Sequence, residues 1–161
     1  MMFLVLITGC SLGTKTGTLE LKLTDAPANF KIESAKVTLS SIEVHRANVG
    51  GNESSWKTVV RESQTFDLIE LENVTTLLGK NDLEVGEYTQ VRLFIDSAMV
   101  TVDGIEYNLD VPSEKLKLTK GFEIIEGETT KLTLDFDVKE SIFQSKEGEF
   151  KLKPTIKIIQ E

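Results

Sequence analysis

The chain has 161 residues and a formal net charge of −8, from 18 Lys and Arg against 26 Asp and Glu. This length suits one domain, and so acidic a domain makes a poor nucleic-acid binder because phosphates repel it. The single cysteine excludes an internal disulfide, so the fold has to be stabilised by burial of a core.

The N-terminus carries a motif that concerns location. Residues 4–8 form a largely apolar run that leads into Gly9 and Cys10, which resembles the lipobox of a bacterial-type lipoprotein signal peptide. As a helix, the nine residues before Cys10 would span roughly 13 Å, too short for a bilayer core of about 30 Å. A processed signal peptide is therefore favoured over a transmembrane helix. No Lys or Arg opens this stretch, so we expect the true start to lie upstream; a chance Gly-Cys pair is the alternative.

Three segments follow from this interpretation. We predict a signal peptide over 1–9, a lipidated Cys10 with a short polar tether over 10–16, and a single domain over 17–161. A lipoprotein cysteine carries two or three acyl chains, and each buried CH₂ contributes about 0.8 kcal/mol, so the attachment would be permanent. The expected location of such a lipoprotein is extracytoplasmic, at the outer membrane or cell surface. Ser11 supplies no aspartate retention signal, which favours the outer membrane if the host has two membranes.

Alternation of apolar and polar residues predicts strands from end to end. The first strand alternates from Leu19 to Leu23, and the segment 30–46 changes its apolar parity halfway, which predicts a bulge at Ser40 and Ser41. Further strands are predicted over 56–60, 65–71, 88–95, 98–102, 105–111, 132–138 and 150–158.

Turn residues punctuate these strands. Asp103-Gly104 separates two alternating runs, which predicts a tight hairpin, because both turn positions need positive φ. Pro154 indicates an edge position or a bulge in the last run. Only 74–80 is predicted as a helical turn, with Gly79 near its end.

The predicted fold class is all-β: an antiparallel two-sheet Greek-key sandwich of the transthyretin-like or immunoglobulin-like kind, with at most the one short helical turn near 74–80. A closed barrel is the alternative. The step from Gly86 to Tyr88 resembles the corner of such sandwiches, where a tyrosine hydroxyl bonds back to a loop.

Several stretches taken together resemble one family, the domain of unknown function 4382. They are Gly17-Thr18-Leu19, Thr24-Asp25-Ala26-Pro27, Ser40-Ser41-Ile42-Glu43-Val44-His45-Arg46, Gly86-Glu87-Tyr88-Thr89-Gln90-Val91-Arg92-Leu93, Asp110-Val111-Pro112-Ser113, Thr133-Leu134-Asp135-Phe136-Asp137 and Lys151-Leu152-Lys153-Pro154. The resemblance covers about 17–159. It implies an extracytoplasmic β-sandwich, often on prokaryotic lipoproteins, and it brings no activity and no catalytic residues.

Candidate chemistry is sparse. His45, the only histidine, has no Cys or second His to share a metal, and no nucleophile-elbow glycines accompany any serine. We therefore expect no enzyme and no cofactor, with His45 an ordinary strand-end residue. A cation site is a weaker possibility, because carboxylates could meet at one end of the sandwich: Asp25, Asp96, Asp135 and Asp137. The competing interpretation is a solvated acidic face.

Aromatic residues bear on sugar binding. Tyr107 shares the apolar parity of its strand and Tyr88 fits a structural corner, which leaves Trp56, beside a polar loop, as the candidate for stacking on a sugar ring. Six lysines are expected to solubilise strand faces, with a phosphate or glycan-sulfate patch as the alternative: Lys115, Lys117, Lys120, Lys151, Lys153 and Lys157. Asn52 and Asn73 match the N-glycosylation pattern.

The expected function is that of a lipid-anchored binding or structural module at the cell envelope. Its partners would be the membrane, through the lipid anchor, and an envelope glycan or protein, with no nucleic acid. A cell-surface carbohydrate-binding domain is the alternative. An exposed Trp56 beside a groove favours sugar binding, and a buried Trp56 favours a scaffold or protein interaction.

Overall fold

The structure is a computed structural model that describes residues 13–25, 31–48 and 55–161. The predicted signal peptide, the lipidation site Cys10 and the sequon residue Asn52 lie outside the described residues. Within the described ranges, no helix is both long enough and apolar enough to cross a lipid bilayer.

Strands make up most of the described chain, as the alternation predicts. One 3₁₀ turn covers Ile69–Leu71, and one short helix, α1, covers Val138–Ser141. The strands described are β1 (Thr16–Asp25), β2 (Ile32–Arg46), β3 (Trp56–Val60), β4 (Gln64–Asp67), β5 (Thr76–Glu84), β6 (Gly86–Val102), β7 (Ile105–Asn108), β8 (Lys115–Ile124), β9 (Thr129–Phe136), β10 (Ile142–Gln144), β11 (Phe150–Leu152) and β12 (Ile156–Gln160).

Two sheets form the body of the fold. The smaller sheet has the order β12-β9-β1-β5, and the larger has the order β3-β2-β6-β7, with β4 also paired to β2 and β8 to β6. A separate hairpin joins β10 to β11. These findings confirm the all-β sandwich. One pair departs from the antiparallel expectation, because β1 runs parallel to β9.

One hydrophobic core fills the space between the sheets. The smaller sheet contributes alternate residues of β1 and β9, and the larger sheet contributes alternate residues of β2 and β6, because successive strand side chains point to opposite faces. The main buried members are Leu19, Leu21, Leu23, Leu132, Leu134 and Phe136 from the smaller sheet and Val37, Leu39, Ile42, Val44, Val91, Leu93, Ile95 and Val100 from the larger.

The bulge predicted at Ser40 and Ser41 is confirmed, and β6 has a matching one. Ser40 is skipped in the pairing of β2 with β6, and Asp96 is skipped on the opposite strand. The apolar parity of both strands therefore changes at the same level, so both halves of each strand keep their apolar side chains in the core. Asp96 lies inside β6, so the prediction that it ends a strand is wrong.

The predicted tyrosine corner is present at the start of β6. The Tyr88 hydroxyl donates a hydrogen bond to the Glu84 carbonyl oxygen at 3.0 Å, and its buried ring stacks on Phe122 at 5.3 Å between centroids. Gly86 has a φ of +145°, a conformation that other residues rarely adopt. Burial raises the pKa of the Tyr88 phenol above its ordinary value of 10.0.

This raised pKa predicts a loss of stability at alkaline pH. The folded state holds the Tyr88 proton more tightly than the unfolded state, so the stabilisation is complete below pH 10 and is lost as the pH rises towards the folded pKa. Tyr88→Phe should lose about 1 kcal/mol of unfolding free energy at pH 8, with the hydrogen bond to Glu84. Its stability should then fall less steeply than that of the wild type above pH 10. Urea unfolding at pH 8 and above pH 10 measures the free energy of unfolding of both proteins. An equal decrease of that free energy with pH in the wild type and the variant would contradict the prediction.

Four further sequence predictions about local structure are wrong. The residues predicted as a helical turn over 74–80 lead into and begin β5, and the predicted strand over 65–71 ends at Asp67 and gives way to the 3₁₀ turn. The predicted strand over 150–158 is two strands, with Pro154 between them. Tyr107 is exposed rather than buried, because β7 is an edge strand of the larger sheet and all four of its residues are exposed.

Candidate functional site

The outward surface of the larger sheet brings aromatic and cationic side chains together. Because β6 buries Val91, Leu93 and Ile95, the residues between them point away from the core. The same alternation applies to the neighbouring strands. We call this surface the outer face and define it by Glu43, His45, Trp56, Thr58, Gln90, Arg92, Phe94, Lys115, Lys117 and Thr119.

Strand pairing arranges the outer face in three rows. The first row runs Trp56, His45, Gln90, Thr119 across β3, β2, β6 and β8, and the second runs Thr58, Glu43, Arg92, Lys117. The third places Phe94 opposite Lys115. With strands about 4.8 Å apart and residues about 3.3 Å apart along each strand, the face measures about 14 Å by about 13 Å.

Trp56 lies at one end of the first row, on the edge strand β3. The Arg92 guanidinium carbon lies 3.3 Å from the centre of the Trp56 ring, and the His45 ring packs at 4.8 Å between centroids with a tilt of 59°. Arg92 thus reaches diagonally over β2. Such a cation–π contact contributes about 1 kcal/mol. Trp56 remains half-buried, so it is neither the open platform nor the core residue that the two sequence interpretations require.

Arg92 is held by few polar contacts. Its side chain is 17% exposed, and one terminal nitrogen lies 4.0 Å from a Glu43 carboxylate oxygen. Its buried Nε–H has no hydrogen-bond acceptor among the described residues. A guanidinium can donate five hydrogen bonds, so Arg92 retains donor capacity that this surface does not use.

Phe94 and two lysines complete the positive side of the face. Phe94 is half-buried at an outward position, and the Lys115 ammonium lies 5.3 Å from its ring centre. Lys115 and Lys117 are exposed. Within the described part of the chain, neither lysine forms an ion pair. The face therefore combines three cations with one carboxylate.

His45 lies near the end of β2, as predicted. Its Nδ1 is 3.2 Å from the Thr89 hydroxyl oxygen, and its ring is against Trp56. Its role on the outer face is therefore one of contact with an aromatic ring and a hydroxyl.

The four candidate carboxylates do not form one cluster. Asp25 is buried and accepts a hydrogen bond from the Val138 amide at 3.1 Å, and Asp137 caps α1 by accepting from the Glu140 amide at 3.0 Å. Asp135 lies on β9 opposite Lys157, whereas Asp96 lies on the other sheet at the bulge. Among the described residues, no group of three or more His, Cys, Asp or Glu side chains is placed to hold a metal ion.

The remaining candidates are scattered over the surface. Asn73 lies exposed in the turn before β5, with a φ of 58°. Of the six predicted surface lysines, four are exposed and two are half-buried, Lys120 and Lys151. Lys151 lies 3.7 Å from the Asp110 carboxylate, so only Lys115 and Lys117 contribute to the outer face.

Sequence reasoning missed Arg92 and Phe94 as site residues. The signal was available, because Phe94 is a large apolar residue at an outward position of an otherwise regular alternation. Arg92 precedes it by two residues and so points to the same side. The contact between Arg92 and Trp56 joins residues 36 positions apart, and alternation within one strand carries no information about it.

Comparison with known proteins finds a family match. The sequence model of a family described as "Domain of unknown function (DUF4382)" matches residues 16–154. No curated protein and no solved structure matches the chain. The match contains every residue of the outer face and begins at the first residue of β1.

Proposed function

Because the chain belongs to the family described as "Domain of unknown function (DUF4382)", we propose that it is a lipid-anchored, extracytoplasmic binding module of the cell envelope. The observation that carries the binding role is the outer face, where Trp56, Arg92 and Phe94 occupy outward positions that a purely solvated strand face fills with small polar residues. Large aromatic and Arg side chains are enriched where proteins bind partners.

The geometry at the N-terminal end of the fold is compatible with a short anchor. Lys15 pairs with Glu126 at 2.8 Å, which raises the pKa of the Lys15 ammonium, and the Lys15 carbonyl oxygen accepts from the Val85 amide at 3.0 Å. Few residues separate this fixed point from Cys10. An anchored module would thus keep this end of the fold close to the lipid.

The anchor is tested with Cys10→Ser. The wild-type protein should stay with the membrane fraction, and the variant should move almost completely into the soluble fraction, because the acyl chains provide nearly all of the membrane affinity. Mass spectrometry of the native protein should show acyl chains on Cys10. An unmodified thiol in the mature protein, or a variant that stays with the membrane, would contradict the anchor.

The binding role is tested with the same released variant. Full-length Cys10→Ser protein should sediment with delipidated envelope fragments, and adding Arg92→Ala should reduce that fraction severalfold. Protein that stays in the supernatant with every envelope preparation would contradict a binding role while leaving the anchor result unaffected.

A cell-surface carbohydrate-binding domain is the second candidate. It is favoured by the partial exposure of Trp56, together with hydroxyl and amide groups in the same row at Gln90 and Thr119. We propose no catalytic role. His45 contacts a hydroxyl and an aromatic ring, and no described carboxylate forms an ion pair with it.

A further inference from the structure

We propose that the outer face binds an acidic polysaccharide, a sugar polymer that carries carboxylate or sulfate groups. The inference rests on the proposed binding function of this face and names its ligand class.

The charge of the face is the reverse of the charge of the protein. The chain carries a formal net charge of −8, yet the three rows combine Arg92, Lys115 and Lys117 with the single carboxylate of Glu43. Arg92 and Lys117 are direct cross-strand partners, and Lys115 lies two residues from Lys117 on β8. Like charges so close repel each other, and an anionic ligand would relieve that repulsion.

The positive charge is confined to these rows. The next outward pair towards the N-terminal end of the fold is Glu87 opposite Glu123. Ionic screening acts over about 8 Å at physiological salt, so carboxylates on the smaller sheet weaken attraction to the outer face only slightly. A polyanion can therefore bind here although the whole protein is acidic.

The aromatic rings and neutral polar side chains of the outer face favour a sugar polymer over a simple anion. Trp56 lies in the first row and Phe94 in the third, each half-buried and in contact with a cation. The part of each ring that stays exposed can pack against the apolar side of a sugar ring. Gln90 and Thr119 in the first row and Thr58 in the second supply an amide and two hydroxyls. Hydroxyl groups of a sugar can exchange hydrogen bonds with all three.

The shape of the face favours a polymer over a small molecule. The first two rows span four strands, from β3 at one side to β8 at the other. An open sheet surface of about 14 Å by about 13 Å is wider than one sugar ring and does not enclose it. Affinity would therefore come from several successive rings with repeated charges.

The test is a titration of the full-length Cys10→Ser protein with defined polymers. Trp56 is the only tryptophan, so its emission reports directly on this face. Polygalacturonate and dextran sulfate should change the emission saturably, and neutral dextran should not. The double variant Lys115→Gln/Lys117→Gln should weaken binding about tenfold, because each exposed charge contact contributes up to about 1 kcal/mol.

A matched control removes the same charge from elsewhere. Lys153→Gln/Lys157→Gln changes two exposed lysines that are not part of the outer face and should leave the affinity within about twofold. Equal binding of neutral dextran, or equal weakening by both double variants, would overturn the acidic ligand. Equal binding of poly-glutamate would overturn the sugar polymer. No response to any probe would overturn this inference, whereas binding to envelope fragments would still support the proposed function.

Discussion

Replacing Phe136 by alanine is expected to lower the free energy of unfolding by about 4 kcal/mol. Phe136 is 1% exposed and lies on β9 between Asp25 of β1 and Ile156 of β12. Its removal leaves a cavity in the single core that both sheets share. Urea unfolding at neutral pH measures the loss, and the melting temperature should fall by about 12 °C.

Phe143→Ala is the matched control for this prediction. Phe143 lies on the β10-β11 hairpin and is 46% exposed, so its truncation should cost less than about 1 kcal/mol. If the two variants lose the same stability, the core does not lie between the two sheets as described.

Gly17→Ala is expected to cost about 3 kcal/mol of unfolding free energy. A Cβ at Gly17 would overlap the backbone carbonyl oxygen of Ile125 and approach the Ile124 side chain to 3.0 Å. Hydrogen bonds on both sides of Gly17 hold β1 in place. The Gly127 amide donates to the Thr16 carbonyl oxygen at 3.0 Å, and the Thr18 amide donates to the Glu128 carbonyl oxygen at 2.8 Å. The strand cannot move away without losing them.

Gly121→Ala provides the comparison for Gly17→Ala. Gly121 is also a strand glycine, but a Cβ there meets no atom within 4 Å, so this variant should unfold within about 0.5 kcal/mol of the wild type. Thermal and urea unfolding of the two variants should differ clearly. Similar free energies of unfolding for the two variants would mean that β1 does not pack closely against the end of β8.

Much of the fold could be predicted because alternation reports burial directly. The regular run from Leu19 to Leu23 lies in β1. The change of apolar parity after Leu39 required a bulge, which the structure shows at Ser40. The Asp103-Gly104 turn has φ values of 49° and 73°, the positive values that its sequence predicts. In each case a local steric or hydrophobic requirement determines the structure.

Other features depend on contacts that one segment cannot specify. Only Leu78 and Leu83 are buried in β5, and a register shift in its pairing with β1 disrupts the alternation, so a helical turn was predicted in its place. The alternation of apolar and polar residues does not show that β1 and β9 run parallel. Tyr107 has the parity of a core residue, but its strand β7 is an edge strand whose four residues are all exposed.

The candidate site was only partly predictable for the same reason. Trp56 could be singled out as the one tryptophan, and the lysines could be recognised as solvent-facing. Their combination with Arg92 depends on the register of β3 against β2 and of β2 against β6, which appears only in the folded sheet. Residue type alone makes the carboxylates candidates for a cation site, yet Asp25 and Asp137 accept hydrogen bonds from backbone amides in the fold.

The most direct test of the account is a map of backbone amide shifts by NMR. With ¹⁵N-labelled protein titrated with polygalacturonate fragments, we expect the largest changes in the three rows of the outer face, around Trp56, Arg92 and Lys117. Changes concentrated on the smaller sheet, or at the exposed hairpin around Phe143, would contradict the claim that the outward surface of the larger sheet is the binding surface.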